Sequence, residues 1–216
     1  MKDGKWLWSL LALGTFTVFS VHALTDSKNS TTINYQTKGS PKKNNSAATH
    51  RVGDCFGGGV ITYINGAKTV GKQHGLIAAL ADIPKSFEWD TQANKQSTVK
   101  TGSSIFTGRS NTTTAISKIG AERAHAASAA LHYTDGKFHD WYLPSKDELS
   151  TMYWQAITHG SEKFWKKCGG TSLSGATYWS STQSTPIKAW GLSFAGGVVV
   201  TANKTSPLLV RAVRAF

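Results

Sequence analysis

The stretch Asp140-Trp141-Tyr142-Leu143-Pro144-Ser145-Lys146-Asp147-Glu148-Leu149-Ser150-Thr151-Met152-Tyr153 sets the fold class of this chain. Its first half is aromatic and apolar and stops on a proline, which ends any strand and leaves the next residues free to start a helix. Ser145 and Glu148 then stand three apart, the spacing of a capping box in which each side chain satisfies the other's backbone N–H. Leu149, Met152, Tyr153 and Ala156 follow at helical spacing and predict one apolar face. The stretch therefore predicts a core-entering segment that feeds a helix.

Upstream, Asn111 is a candidate cap for an earlier helix. Ala115, Ile116, Ile119, Arg123, Ala127 and Ala130 recur at intervals of three and four, and Gly120 weakens the pattern only locally. Further upstream, Val60–Ile64 is a β-branched and aromatic run between Gly57-Gly58-Gly59 and Asn65-Gly66, and Gly75–Ala81 predicts its buried neighbour. Downstream lie four candidate strands, Tyr178–Thr182, Ala189–Phe194, Val198–Thr201 and Leu208–Val213, with Gly196-Gly197 as a turn. Two strands, two helices and a β-rich end predict an α+β fold: one compact domain of mostly antiparallel strands with two helices.

Composition agrees. Of 216 residues, 39% are hydrophobic and 17% charged, with 21 Gly and 8 Trp, which excludes a disordered chain and allows a sizeable core. The ends differ from the middle. Lys2 and Lys5 precede an apolar run from Trp6, and Val21-His22-Ala23 supplies small residues at the −3 and −1 positions of a signal-peptidase site. Residues 1–23 are expected to be a signal peptide. The competing reading is a membrane anchor, but the apolar run to Phe19 is shorter than the roughly 20 residues a spanning helix needs. Residues 24–50 are rich in Ser, Thr, Asn and Lys and are expected to form a flexible polar tail, leaving 51–216 as the domain. Export places the chain outside the cell or at its surface, with the periplasm the alternative. There, Cys55 and Cys168 are expected to pair in a disulfide, with two separate buried thiols the other reading.

The net charge is +12, of which +11 remains once Lys2, Asp3 and Lys5 leave with the signal. A basic exported protein favours acidic partners: sulfated or carboxylated glycans, anionic lipid, or extracellular DNA.

Seven strings taken together carry a resemblance: GGGVITYI, HGLIAAL, FTGRSNTTTAI, DWYLPSKDELSTMY, TYWSST, AWGLSF and VRAVRAF, in this order from Gly57 to Phe216. They resemble the C-terminal domain of the Legionella collagen-like adhesin. The resemblance implies an adhesin that recognises sulfated glycosaminoglycans and assembles as a trimer on a collagen-like stalk. It also implies a fold similar to C-type lectins, an analogy of fold that carries no function by itself. The stalk is missing here, and the polar tail stands in its place. Trimeric assembly is therefore implied by the resemblance alone. Relatives also carry a cysteine ahead of the DWYLP string, where this chain has none.

The chemistry-bearing residues favour binding over catalysis. His139, Asp140, Asp147 and Glu148 are acid/base types, but Glu148 has a role in the capping box and Asp147 suits a helix N-terminus. There is no G-x-S-x-G elbow, and the seven His show no metal-ligand spacing, so no catalytic residue, metal or cofactor is assigned. Trp141, Trp179 and Trp190 are expected in the core, while Trp154 and Trp165 are left open. Lys163, Lys166 and Lys167, beside Trp165 and next to Cys168, are the leading candidates for contact with sulfate or carboxylate groups. Lys95, Lys100, Arg109 and Arg214 are secondary candidates. A solvated surface is the bland alternative for each. The expected function is recognition of anionic glycans or extracellular matrix; the alternative is an envelope-associated module that binds a protein partner.

Overall fold

The computed structural model describes residues 49–66, 73–92 and 98–216, all within the second of two units, Asn45–Phe216. The expected signal peptide, nearly all of the expected tail and Lys95 lie outside the described residues. The elements in chain order are β1 (Cys55–Phe56), β2 (Gly59–Asn65), β3 (His74–Ala79), α1 (Gly108–Ile119), α2 (Ala126–Leu131), α3 (Lys146–Thr158), α4 (Ser161–Lys166), β4 (Thr177–Thr185), β5 (Lys188–Ser193), β6 (Val198–Asn203) and β7 (Val213–Ala215). They form a four-stranded sheet of order β1-β2-β3-β7 and a three-stranded sheet of order β4-β5-β6, both antiparallel. The α+β class is borne out, with four described helices where the sequence predicts two.

Alternation along the strands divides the core in two. Val60, Leu76, Ala78 and Val213 join Leu149, Met152 and Trp165 from α3 and α4 in one cluster. The next residue along, Ile61, Ile77 or Ala79, joins Ala115 and Ile119 of α1 with Trp89, Trp141 and Trp179 in the other. The first sheet thus has apolar residues packed on both faces, and each large buried side chain stabilises the fold by about 1.5–3 kcal/mol. Trp89 and Trp179 also satisfy their indole N–H groups by donating to the carbonyls of Ser180 and Phe87, each at 2.8 Å.

Helix α3 begins as its sequence predicts. Ser145 Oγ accepts from the Glu148 amide at 3.2 Å, and Glu148 Oε2 accepts from the Ser145 amide at 2.7 Å. The earlier helical region is corrected. Asn111 is not its cap: the side chain turns inward, exchanging hydrogen bonds with the Gly102 backbone at 2.8 and 2.7 Å and donating to Ser181. The region is also two helices. The chain leaves α1 through Gly120 at φ 108°, a conformation that only glycine adopts readily. It restarts α2 with a second capping box, in which His125 Nδ1 accepts from the Ser128 amide and Ser128 Oγ accepts from the His125 amide. Burial lowers the His125 pKa, consistent with a neutral ring that accepts at Nδ1.

Two further expectations are corrected. Leu208–Val213 is not one strand; regular pairing begins only at Val213. Its residues change partner at nearly every step. Leu208 bridges Phe87, Leu209 bridges Tyr178, Val210 accepts from the Ile83 amide, Ala212 from the Ala79 amide, and Val213 bridges Tyr142. A segment that joins two sheets lying apart cannot keep one register with either. Trp190 is the other correction. It is only half-buried on β5 and belongs to neither core cluster, whereas Trp141, Trp179 and Trp165 are fully buried.

Candidate functional site

The leading basic cluster is built on α4. Phe164 and Trp165 turn into the core, which leaves Lys163, Lys166 and Lys167, spaced three and four apart, exposed on the opposite side. The Arg211 guanidinium lies 5.0 Å from the Trp165 ring centre. Cys168 follows at once and is disulfide-bonded to Cys55, with the Cα atoms 5.4 Å apart. The helix is therefore held by a buried aromatic pair on one side and a covalent bond at its end. The lysines at its C-terminus also complement the helix dipole.

Their existing partners are weak. Lys166 pairs with Glu162 one turn earlier, where its hydrogen bond and charge hold the Glu162 carboxyl below the ordinary range. Lys167 donates to the Gly53 carbonyl at 3.2 Å and approaches Asp54 at 3.7 Å. Lys163 makes no ion pair among the described residues. Exposed pairs of this kind are screened by salt and easily exchanged, so an arriving sulfate or carboxylate can compete for all three ammonium groups.

Arg109 and Arg214 are brought together elsewhere, on Asp140. Arg214 grips the carboxylate with Nε at 2.7 Å and Nη2 at 3.1 Å, donates to the Gly57 carbonyl, and stacks 4.0 Å from the Phe138 ring centre. Its side chain is only 12% exposed. Arg109, on the first turn of α1, donates to the Asp140 carbonyl at 2.8 Å and reaches the carboxylate at 3.3 Å. Partial burial acts to raise the Asp140 carboxyl, but the hydrogen bonds and charge of Arg214, with Arg109 behind it, outweigh this and hold it below the ordinary range. Arg214 is thus committed inside the domain, and Arg109 keeps an exposed edge. Lys100 is exposed beside buried Val99, whose amide is held by Gln183 Oε1 at 2.9 Å.

Sequence reasoning did not foresee two buried cations. The Arg211 side chain is fully buried and donates to Asp82 at 2.6 Å and to the Ala79 carbonyl at 2.9 Å. Lys204 is fully buried, donates to Gln183 at 2.7 Å, and lies 4.6 Å from the Trp89 ring centre; burial brings its pKa down to about 8. Arg211 lies ahead of β7 and Arg214 within it, and the two guanidinium groups find different carboxylates, Asp82 and Asp140. Nothing in the sequence marks Lys204.

The carboxylates weighed for acid/base chemistry are engaged. Glu148 accepts from the amides of Ser145 and Phe106, each at 2.7 Å, and from that of Gly108; its pKa is raised because burial outweighs these bonds. Asp147 pairs with Lys146 at 2.6 Å. Among the described residues no group of three or more His, Cys, Asp or Glu is placed to hold a metal ion, and no helix is long and apolar enough to cross a membrane.

No curated protein matches the chain. A family model does: the one described as the Lcl C-terminal domain matches residues 78–214. That family is adhesin-associated and is not a known enzyme family, and together with the disulfide it points to an exported protein. With well over half of its residues inside the match, the chain belongs to the Lcl C-terminal domain family.

Proposed function

We propose that this chain is an exported, adhesin-like binding module that recognises anionic, sulfated glycans through the lysine face of α4. The observation that carries the reading is the arrangement of Lys163, Lys166 and Lys167: three exposed ammonium groups on a short helix fixed by buried Phe164 and Trp165 and by the Cys55–Cys168 bond. Anchoring matters because a glycan pays less ordering entropy on a face that is already fixed. Arg109, with its exposed edge, and Lys100 are accessory contacts in this reading. Extracellular DNA offers the same anionic chemistry and is the rival ligand.

The test is retention of the purified chain on heparin and on chondroitin sulfate across a salt series, beside a Lys163→Ala/Lys166→Ala/Lys167→Ala variant. Retention that weakens with salt, differs between the two glycans and is lost in the variant is the expected result. Equal retention of the variant would move the site away from α4, and no retention near physiological salt would overturn the glycan reading. The protein-partner alternative draws on a different observation: Trp154 and Ile157, one turn apart on α3, are 59% and 50% exposed. Salt-independent co-purification with one envelope protein would favour it.

A further inference from the structure

An open cleft of about 710 Å3 lies between residues 83–87, the α1–α2 link at 121–124, and α2 with the residues that follow it. That volume is within the roughly 300–1,000 Å3 of small-molecule sites. The cleft shares no residue with α4.

Its walls are fixed by the fold itself. The Ile83 amide donates to the Val210 carbonyl at 2.9 Å, and Phe87 exchanges both backbone hydrogen bonds with Leu208 at 2.8 and 3.0 Å. Across the cleft, Ser128 Oγ donates to the Arg123 carbonyl at 2.6 Å, which sets the backbone of the link. The Ala126 amide donates to the Glu88 carbonyl at 2.9 Å and so ties α2 to the first wall. Tyr133 stands edge-on against buried Trp141, with ring centres 5.2 Å apart. A site formed in advance loses little ordering entropy when a ligand enters.

Ile83, Pro84, Phe87, Ala129 and Tyr133 give the cleft an apolar surface. Its formal charges are Glu122 and Arg123, consecutive in the chain and both exposed. Neither makes an ion pair among the described residues. His132 also borders the cleft, but its Nδ1 is engaged with the Ser128 carbonyl of α2 at 2.8 Å.

We propose that this cleft binds a free apolar α-amino acid in its zwitterionic form. The two charges select the occupant. Arg123 offers a fork of N–H donors to a carboxylate, and Glu122 offers an acceptor to an ammonium group. An apolar acid would bring a second negative charge to Glu122, and an apolar amine a second positive charge to Arg123. An uncharged ligand would leave both without a partner. Consecutive rim charges suit two groups on one α-carbon better than the separated termini of a peptide. The ligand's side chain then covers Phe87 and Tyr133, whose rings supply the largest apolar surfaces of the lining. This is a second binding function, independent of glycan recognition on α4.

The test is isothermal titration calorimetry of the full chain with L-phenylalanine, with phenylalaninamide, which lacks the carboxylate, and with N-acetylphenylalanine, which lacks the ammonium. L-phenylalanine is expected to bind, and each analogue to bind about tenfold more weakly. Arg123→Gln is expected to weaken L-phenylalanine by about tenfold without weakening phenylalaninamide, and Glu122→Gln to do the same without weakening N-acetylphenylalanine. Both substitutions are at exposed positions, and circular dichroism checks that each variant keeps its fold. Absence of L-phenylalanine binding at millimolar concentration would overturn the proposal. So would an analogue that binds as tightly as L-phenylalanine, or an affinity indifferent to either substitution.

Discussion

The lysines of α4 and the arginines around Asp140 begin as the same kind of signal, basic residues in a chain of net charge +12, and end in opposite states. On α4 an adjacent aromatic pair is flanked by lysines, so burying Phe164 and Trp165 leaves Lys163, Lys166 and Lys167 outside. Around Asp140, Arg214 lies on β7 beside a carboxylate delivered by the DWYLP segment, and the pair closes on itself. Formal charge is therefore a poor measure of charge available to a ligand. Availability is set by whether the sequence offers a buried neighbour to turn the cation inward.

This contrast can be broken from either side. The largest effect is expected from the bond that holds the α4 face. Reducing Cys55–Cys168, which spans a sequence separation of 113, removes about 4–5 kcal/mol of stability in the chain-entropy model, read as a fall in the midpoint of chemical unfolding. Next comes Asp140→Ala, which leaves Arg214 largely buried without its counter-charge. A loss of about 3 kcal/mol is expected, lowering the melting temperature by about 6–12 °C. The triple alanine variant of the α4 lysines should shift stability by only about 0.5 kcal/mol per site. If both variants cost the same, the distinction between committed and available charge fails.

The smallest effect is a pH dependence. Because the folded-state pKa of Asp140 lies below its ordinary value of about 3.9, the pairing contributes fully above that value and is lost as pH falls through the folded one. The stability advantage of the parent over Asp140→Asn should therefore be constant near neutrality and shrink below about pH 4. An advantage independent of pH would assign the pair to shape rather than charge.

Much of the fold was legible because short-range signals carried it. The Ser145–Glu148 box, the Val60–Ile64 run and the Gly196-Gly197 turn each name their own conformation. At Gly197, φ is 69° and an added Cβ would lie 2.3 Å from the Tyr153 ring, so the turn and α3 exclude any other residue. The errors fall where conformation depends on distant partners. His125 caps a helix through a ring nitrogen, a role its residue type seldom advertises. Leu208–Val213 has the composition of a strand but a succession of unrelated neighbours. Trp89 and Trp165 are buried because segments far away in sequence close over them, while Trp190, in a more strand-like context, is left half-covered. For the candidate site, the lysine cluster could be seen in advance. The inward turn of Arg214 could not, since it needs Asp140 and Gly57 to arrive from two other regions.

The stitching by residues 208–215 also bears on when the domain can form. Strand β3 lacks its second neighbour, β4 its outer cover, and the DWYLP segment its backbone partner until this last stretch arrives. Contacts of such sequence separation make closure slow and place it late. Both sheets are therefore completed only when residues 208–215 are in place, however early their other strands have paired.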